Sequence, residues 1–199
     1  MNKKIQFGVD TMTLYIMCGV PGVGKSYFAK KKLIEGPGWR YISRDEIRYS
    51  ILKEGEDYFS HENEVFEKFI IAIKNAFNDD GVFNVIADAT HLNWASRNKL
   101  LKNLGNFLNH VKVIPIMITA DPITVNEQNE QRTGPACVSR SVVRRMTASL
   151  TDPKTDPYNY TAIMYVDNSK HELVEKPKFM YHKNDIRMKE IPIKEVLKK

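Results

Sequence analysis

Cysteine is nearly absent: the 199 residues hold two, Cys18 and Cys137. A disulfide scaffold is excluded by that count, neither stands at metal-site spacing, and a reducing compartment fits. Long apolar runs are missing too, and none approaches the roughly 18 residues that span a bilayer. The opening stretch Met1–Gly8 has no extended apolar core of the kind a secretory leader carries. The expectation is a cytoplasmic protein with no membrane partner. Internal repeats and low-complexity blocks are absent. So is any strong charge imbalance: 30 basic residues face 24 acidic ones, a net +6, with 42% hydrophobic and 27% charged residues. That composition is ordinary for one globular domain and excludes fibrous and disordered classes. Two local absences stand out. Residues 131–150 contain no acid and no lysine, yet carry four of the nine arginines. The basic excess is concentrated in residues 170–199, nine Lys/Arg against five Asp/Glu, giving +4. Such a tail is either a solvated face or a patch for nucleic acid.

The most specific feature present is Gly19-Val20-Pro21-Gly22-Val23-Gly24-Lys25-Ser26. It fits G-x-x-x-x-G-K-[ST] at every position, the Walker A or P-loop pattern. Leu14–Cys18 before it reads as a buried strand, and Ser26–Ile34 after it as a helix stopped by Gly36-Pro37-Gly38. In that context Gly19, Gly22 and Gly24 let the backbone turn its N–H groups inward as an anion nest. Val23 and Tyr27 lie within and just after the nest. Lys25 reaches the β- and γ-phosphates, and Ser26 ligates Mg²⁺. The loop therefore predicts ATP and Mg²⁺ as cofactors.

Alternation of strands and helices continues along the chain. Strands are expected over Trp39–Ser43, Val82–Ala87, Val111–Ile118 and Ala162–Val166, with Pro115 awkward for a strand centre. Helices are expected over Arg44–Leu52, His61–Phe77, Asn93–Leu108, 121–131 and 138–150. Ser43 and Glu46 fit a capping box, and Asp121-Pro122 fits an N-cap followed by proline at the first turn. Val65, Phe66, Phe69, Ile70, Ile73, Ala76 and Phe77 share one stripe. The fold class is α/β, a parallel sheet flanked by helices, and ligands in such sheets bind beyond the carboxyl ends of the strands. The loop at Gly19, Arg44-Asp45 and Asp88-Ala89-Thr90 all follow strand ends and should gather on one edge.

Each of these groups admits two readings. Asp88 suits Mg²⁺ or its waters, or simply caps a turn. Thr90 either bonds a substrate or caps the next helix. Asp45 can take the proton of an attacking hydroxyl, or it favours a helix dipole from the first turn. Arg44 and Arg48 lie one turn apart beside Asp45. Arg48 can grip a substrate phosphate bidentately, or form an ion pair with Glu46 or Asp45. In the acid-free stretch, Arg132 lies in a mobile-looking Arg-Thr-Gly-Pro segment, and Arg140 shares a helix face with Arg144. Arginine suits phosphate oxygens, so residues 131–150 read as a lid bringing charge to a transferring phosphoryl group.

Taken together, Gly19–Ser26, Ile42–Arg48, Asp88–Asn93, Asn129–Gly134 and Val142–Met146 resemble the 5′-polynucleotide kinase family of P-loop phosphotransferases, over about residues 13–168. The Arg-Asp-x-x-Arg element is the more specific part. The resemblance implies an adenylate-kinase-like P-loop NTPase fold over residues 1–169 with a helical lid at about 131–150. Residues 170–199 would form a basic extension on the same domain. It implies transfer of the γ-phosphate of ATP to a 5′-hydroxyl end of DNA or RNA. Asp45 would be the general base and Arg48 would hold the phosphate flanking the acceptor nucleotide. Arg132 would sit on the ATP phosphates. A phage-encoded member would act in the host cytoplasm, and a homo-oligomer stays open. Gln128 stands where the compared enzyme has a second basic residue, and no Asp-x-Asp phosphatase motif follows. The rival readings are a kinase for a small acceptor and a non-catalytic ATP-binding module.

Overall fold

The computed structural model describes residues 12–169 apart from Glu35, and the backbone of segments 174–180 and 189–191. Strands β1 (Thr13–Cys18), β2 (Trp39–Ser43), β3 (Asn84–Asp88), β4 (Lys112–Thr119), β5 (Ala162–Asp167), β6 (Val174–Met180) and β7 (Lys189–Ile191) form one sheet in the order β2-β3-β1-β4-β5-β6-β7. The first five run parallel, and β6 and β7 extend the edge antiparallel. The parallel part is the expected architecture. The two antiparallel edge strands come from the expected extension, whose other residues and side chains lie outside the described ones.

Burial on both faces explains why β1 reads as a continuous apolar run. Leu14, Ile16 and Cys18 point into a core closed by α3 (Glu62–Asn78) and α4 (Trp94–Leu104). Tyr15 and Met17 point into a second core. That one is closed by α1 (Lys25–Phe28) with its π-helical continuation Ala29–Leu33, by α5 (Pro122–Glu130) and by α6 (Arg140–Ala148). All seven stripe residues of α3 are buried. α4 ends earlier than expected, at Gly105, and 3₁₀ turns carry the chain to His110. Pro115 is accommodated by alternation. Lys112 donates its N–H to Met12 on the β1 side, and Val113 donates to the Thr161 hydroxyl on the β5 side. The missing Pro115 N–H therefore faces β5, one residue before that ladder starts at Ile116↔Met164.

α2 (Arg44–Ile51) starts at Ser43, whose hydroxyl accepts from the Glu46 N–H at 3.2 Å. Only this half of the expected capping box forms, because the Glu46 carboxylate turns outward to Lys30, 2.9 Å away. Asp121 caps α5 as expected, accepting from the N–H groups of Ile123 and Thr124.

A buried polar lock lies under the site. Arg97 of α4 is 0% exposed and forks onto Asp156 at 2.6 and 2.7 Å. It also donates to Thr151 and to the His91 carbonyl. His91 is itself buried, at a left-handed φ of 38°, with Nδ1 2.9 Å from the Met17 carbonyl. Burial pulls its pKa from 6.5 down to about 4; the Met17 carbonyl opposes this, and the cations Arg44, Arg97 and Lys25 reinforce it. The unfolded chain thus takes up a proton that the folded one refuses. The contribution of neutral His91 to stability is fully present above about pH 6.5 and is lost as the pH drops toward 4. His91→Asn keeps a residue that tolerates this φ. It should remove up to about 3 kcal/mol of this acid dependence, seen as a smaller shift of the urea midpoint between pH 7 and pH 4.5 than the parent shows. An equal shift in both proteins would rule out His91 as the source.

Candidate active site

The carboxyl ends of β1, β2 and β3 open into a cavity of about 740 Å³, within the usual range for small-molecule sites. The loop after β1 forms one wall. Gly19, Gly22 and Gly24 have φ of 146°, 80° and 92°. Space is as demanding as conformation at all three: a Cβ on Gly19 would lie 2.7 Å from the Ile118 carbonyl oxygen. A Cβ on Gly22 would lie 2.6 Å from the Val125 carbonyl oxygen, and one on Gly24 would lie 2.6 Å from Asn168 Nδ2. The loop is therefore set directly against α5 and the end of β5. Asn168 holds it by donating to the Val23 carbonyl at 3.2 Å. Val23 is itself buried in the core beneath. The Gly19 N–H donates to the Thr90 carbonyl at 2.9 Å, tying the loop to the segment after β3.

Lys25 Nζ folds back onto the Val20 carbonyl at 2.9 Å. Burial lowers its pKa; Asp88 and Asp45 oppose the shift and Arg132 adds to it. Ser26 donates to Asp88 Oδ2 at 2.6 Å, and the Tyr41 hydroxyl donates to the same oxygen. Burial, then the Asp88 charge, pushes the Tyr41 pKa up and keeps it a donor. The adjacent Ser26 hydroxyl and Asp88 carboxylate are hard oxygen donors that leave waters and phosphates to complete an octahedral shell, a set that fits Mg²⁺.

The opposite wall belongs to α2 and the start of α3. Arg48 is 4% exposed. Its Nη1 bonds Asp45 Oδ1 at 2.7 Å and the Tyr58 hydroxyl at 3.0 Å; its Nη2 bonds Glu62 Oε2 at 2.6 Å. Burial works against its charge, but the Glu62 hydrogen bond, with Tyr58 and Asp45, raises its pKa overall. Tyr58 also donates to Asp45 Oδ1 at 2.8 Å, and burial, then the Asp45 charge, pushes its pKa up. Arg44 pairs with Glu62, and burial lowers its pKa. The Nε atoms of Arg44 and Arg48 are the buried side-chain donors left without a partner among the described residues. The ion pair foreseen for Arg48 exists with Asp45; its arginine is buried while the carboxylate stays half exposed, and Glu62 rather than Glu46 completes it.

The lid closes the third side. Arg132 Nη2 lies 3.7 Å from Asp45 Oδ2, bridging lid and α2. Asn129 is fully buried and grips the far end of the segment: its Nδ2 donates to the Val138 carbonyl at 2.6 Å and its Oδ1 accepts from the Val138 N–H at 3.3 Å. Gly22, Gly24, Lys25, Ser26, Tyr27, Arg44, Asp45, Arg48, Asp88, Thr90 and Arg132 all line the cavity. Gly19 and Val23 support it from below. Arg140 is not brought in: it is exposed and paired with Glu130 at 2.6 Å. Arg145, five residues further along the same helix, does line the cavity. Tyr41, Tyr58 and Glu62 were missed by sequence reading. Only Glu62, an acid in the first turn of a strongly patterned helix, gave a local hint.

A glycine-rich loop of P-loop pattern at the carboxyl edge of a β2-β3-β1-β4-β5 parallel sheet flanked by helices defines a P-loop NTPase α/β fold. The chain belongs to the AAA domain family, which it matches over residues 14–153. No curated protein matches it. Among solved structures, it is similar to a chain of the Pnkp1/Rnl/Hen1 RNA repair complex, with TM-score 0.59 and 18% identity over 75% of this chain and 47% of that one. The chain thus spans about half the length of that relative. A fungal RNA kinase matches with TM-score 0.52 and 14% identity, over 81% of this chain and 77% of that one. A sugar kinase from Janibacter sp. HTCC2649 matches with TM-score 0.50 and 12% identity, over 78% and 85%. At these identities the likeness is one of fold.

Proposed function

We propose that the protein is an ATP-dependent kinase that phosphorylates the 5′-hydroxyl end of a nucleic acid. The observation that carries this reading is the placing of Asp45, bonded to a buried Arg48, across one cavity from Lys25. Asp45 takes the proton of the acceptor hydroxyl as that oxygen bonds to the γ-phosphorus and the bond to the β–γ bridging oxygen breaks, releasing ADP. Lys25, the loop amides and Arg132 meet the charge on the phosphoryl oxygens. Ser26 and Asp88 would hold Mg²⁺, which supplies charge neutralisation between the β- and γ-phosphates when bound. Arg48 and Arg44, which line the cavity, would receive the phosphate next to the acceptor nucleotide.

A second reading is favoured by one observation: both Nη atoms of Arg48 are already taken by Asp45, Tyr58 and Glu62. A neutral small acceptor needs no further donor from it. γ-Labelled ATP with 5′-OH DNA, 5′-OH RNA, 3′-mononucleotides and free nucleosides separates the two. Label on oligonucleotides and 3′-mononucleotides only supports the nucleic-acid reading, and label on free nucleosides only replaces it. Arg48→Ala, confirmed folded by circular dichroism, should lose most activity on the phosphate-bearing acceptors. Intact activity on oligonucleotide ends would remove Arg48 from its role.

A further inference from the structure

An exposed aromatic ring at the mouth of a charged site offers a flat apolar face on which a planar group can stack. Phe59 is such a ring: it is 63% exposed and lines the cavity. It follows Tyr58, whose ring it meets edge-on at 4.9 Å, and Tyr49, 48% exposed, adds a third ring 6.0 Å from Tyr58. The Arg48 guanidinium lies over Tyr58 at 4.4 Å and within 5.6 Å of Phe59. This loop is not slack. The Asp57 carboxylate accepts from the Phe59 N–H at 2.9 Å, and the Tyr58 hydroxyl is bonded to Asp45. The ring is thus carried on the same hydrogen-bonded unit that positions Asp45. A group stacked there is held in fixed relation to the hydroxyl that Asp45 would deprotonate.

We infer that Phe59 is a stacking platform for a nucleobase at the reacting end of the acceptor, and so a specificity-determining residue. The inference rests on the nucleic-acid reading above. Every base offers a π-face, so such a platform tolerates sequence but requires an unpaired base. It also sets apart acceptors that the arginines cannot distinguish, since a sugar-phosphate end without a base presents the same anion.

The test uses the full chain, γ-labelled ATP, a 5′-OH oligonucleotide and the same oligonucleotide with abasic residues at its first two positions. Phe59→Ala should raise KM for the normal oligonucleotide about tenfold, and Phe59→Trp should restore it. The parent should show a similar rise on the abasic oligonucleotide, with Phe59→Ala adding little there. A parent that treats both oligonucleotides alike, or a Phe59→Ala penalty of equal size on both, would overturn stacking while leaving the kinase reading standing. A parent that labels no oligonucleotide overturns the nucleic-acid reading, and this inference with it.

Discussion

Arg132→Ala is expected to lower kcat by about three to five orders of magnitude, the range found for arginines that meet a transferring phosphoryl group. The side chain is placed for this. It lies at the start of the lid in the cavity shared with Lys25 and Ser26, and its charge rests 3.7 Å from Asp45. Arrival of a triphosphate offers it a stronger anion, so the guanidinium is drawn from the acceptor side toward the phosphates. Arg132→Lys keeps the charge but loses the planar fork and should fall between parent and alanine variant. The check is single-turnover transfer at saturating ATP. A loss below tenfold would assign Arg132 to binding the loop rather than to the reaction.

Asp45→Asn should cost about two to four orders of magnitude in kcat, the scale of a lost general base. ATP affinity should stay within about twofold, because the nest and Lys25 are untouched. The isosteric amide still offers an oxygen to Arg48 and Tyr58, so the hydrogen-bonded unit survives and the variant isolates the proton transfer. ATP binding measured by calorimetry and transfer measured with label must separate. If binding falls in step with turnover, Asp45 is a structural anchor for Arg48. If neither changes, the protein belongs with nucleotide-binding modules that do no acceptor chemistry.

Features legible in the sequence were those encoded over short distances. The nest is specified by eight consecutive residues, and strand β1 and helix α1 on either side agree with it. The α3 stripe and the Asp121 cap are likewise local. What escaped reading was decided by partners distant in sequence. Glu62 and Tyr58 reach Arg48 from 14 and 10 positions away. Tyr41 meets Asp88 from a neighbouring strand, which periodicity marks only as two strand residues. Glu46 abandons its cap for Lys30 because an ion pair on the surface competes with a weak local bond. Arg140 and Arg145 stand on different sides of α6, and only the rotation of that helix against the core, fixed by buried Val143, decides which one faces the cavity.

The grip of Asn129 on Val138 fixes both ends of the intervening segment at one point on the body of the protein. Length changes between those two positions would be absorbed as a larger or smaller loop, leaving the sheet and nest undisturbed. That places the tolerance for evolutionary or engineered variation at the lid tip. Because Arg132, Pro135 and Ala136 of this segment line the cavity, changes there would reshape the acceptor side and the phosphate contact together while the sheet stays as it is.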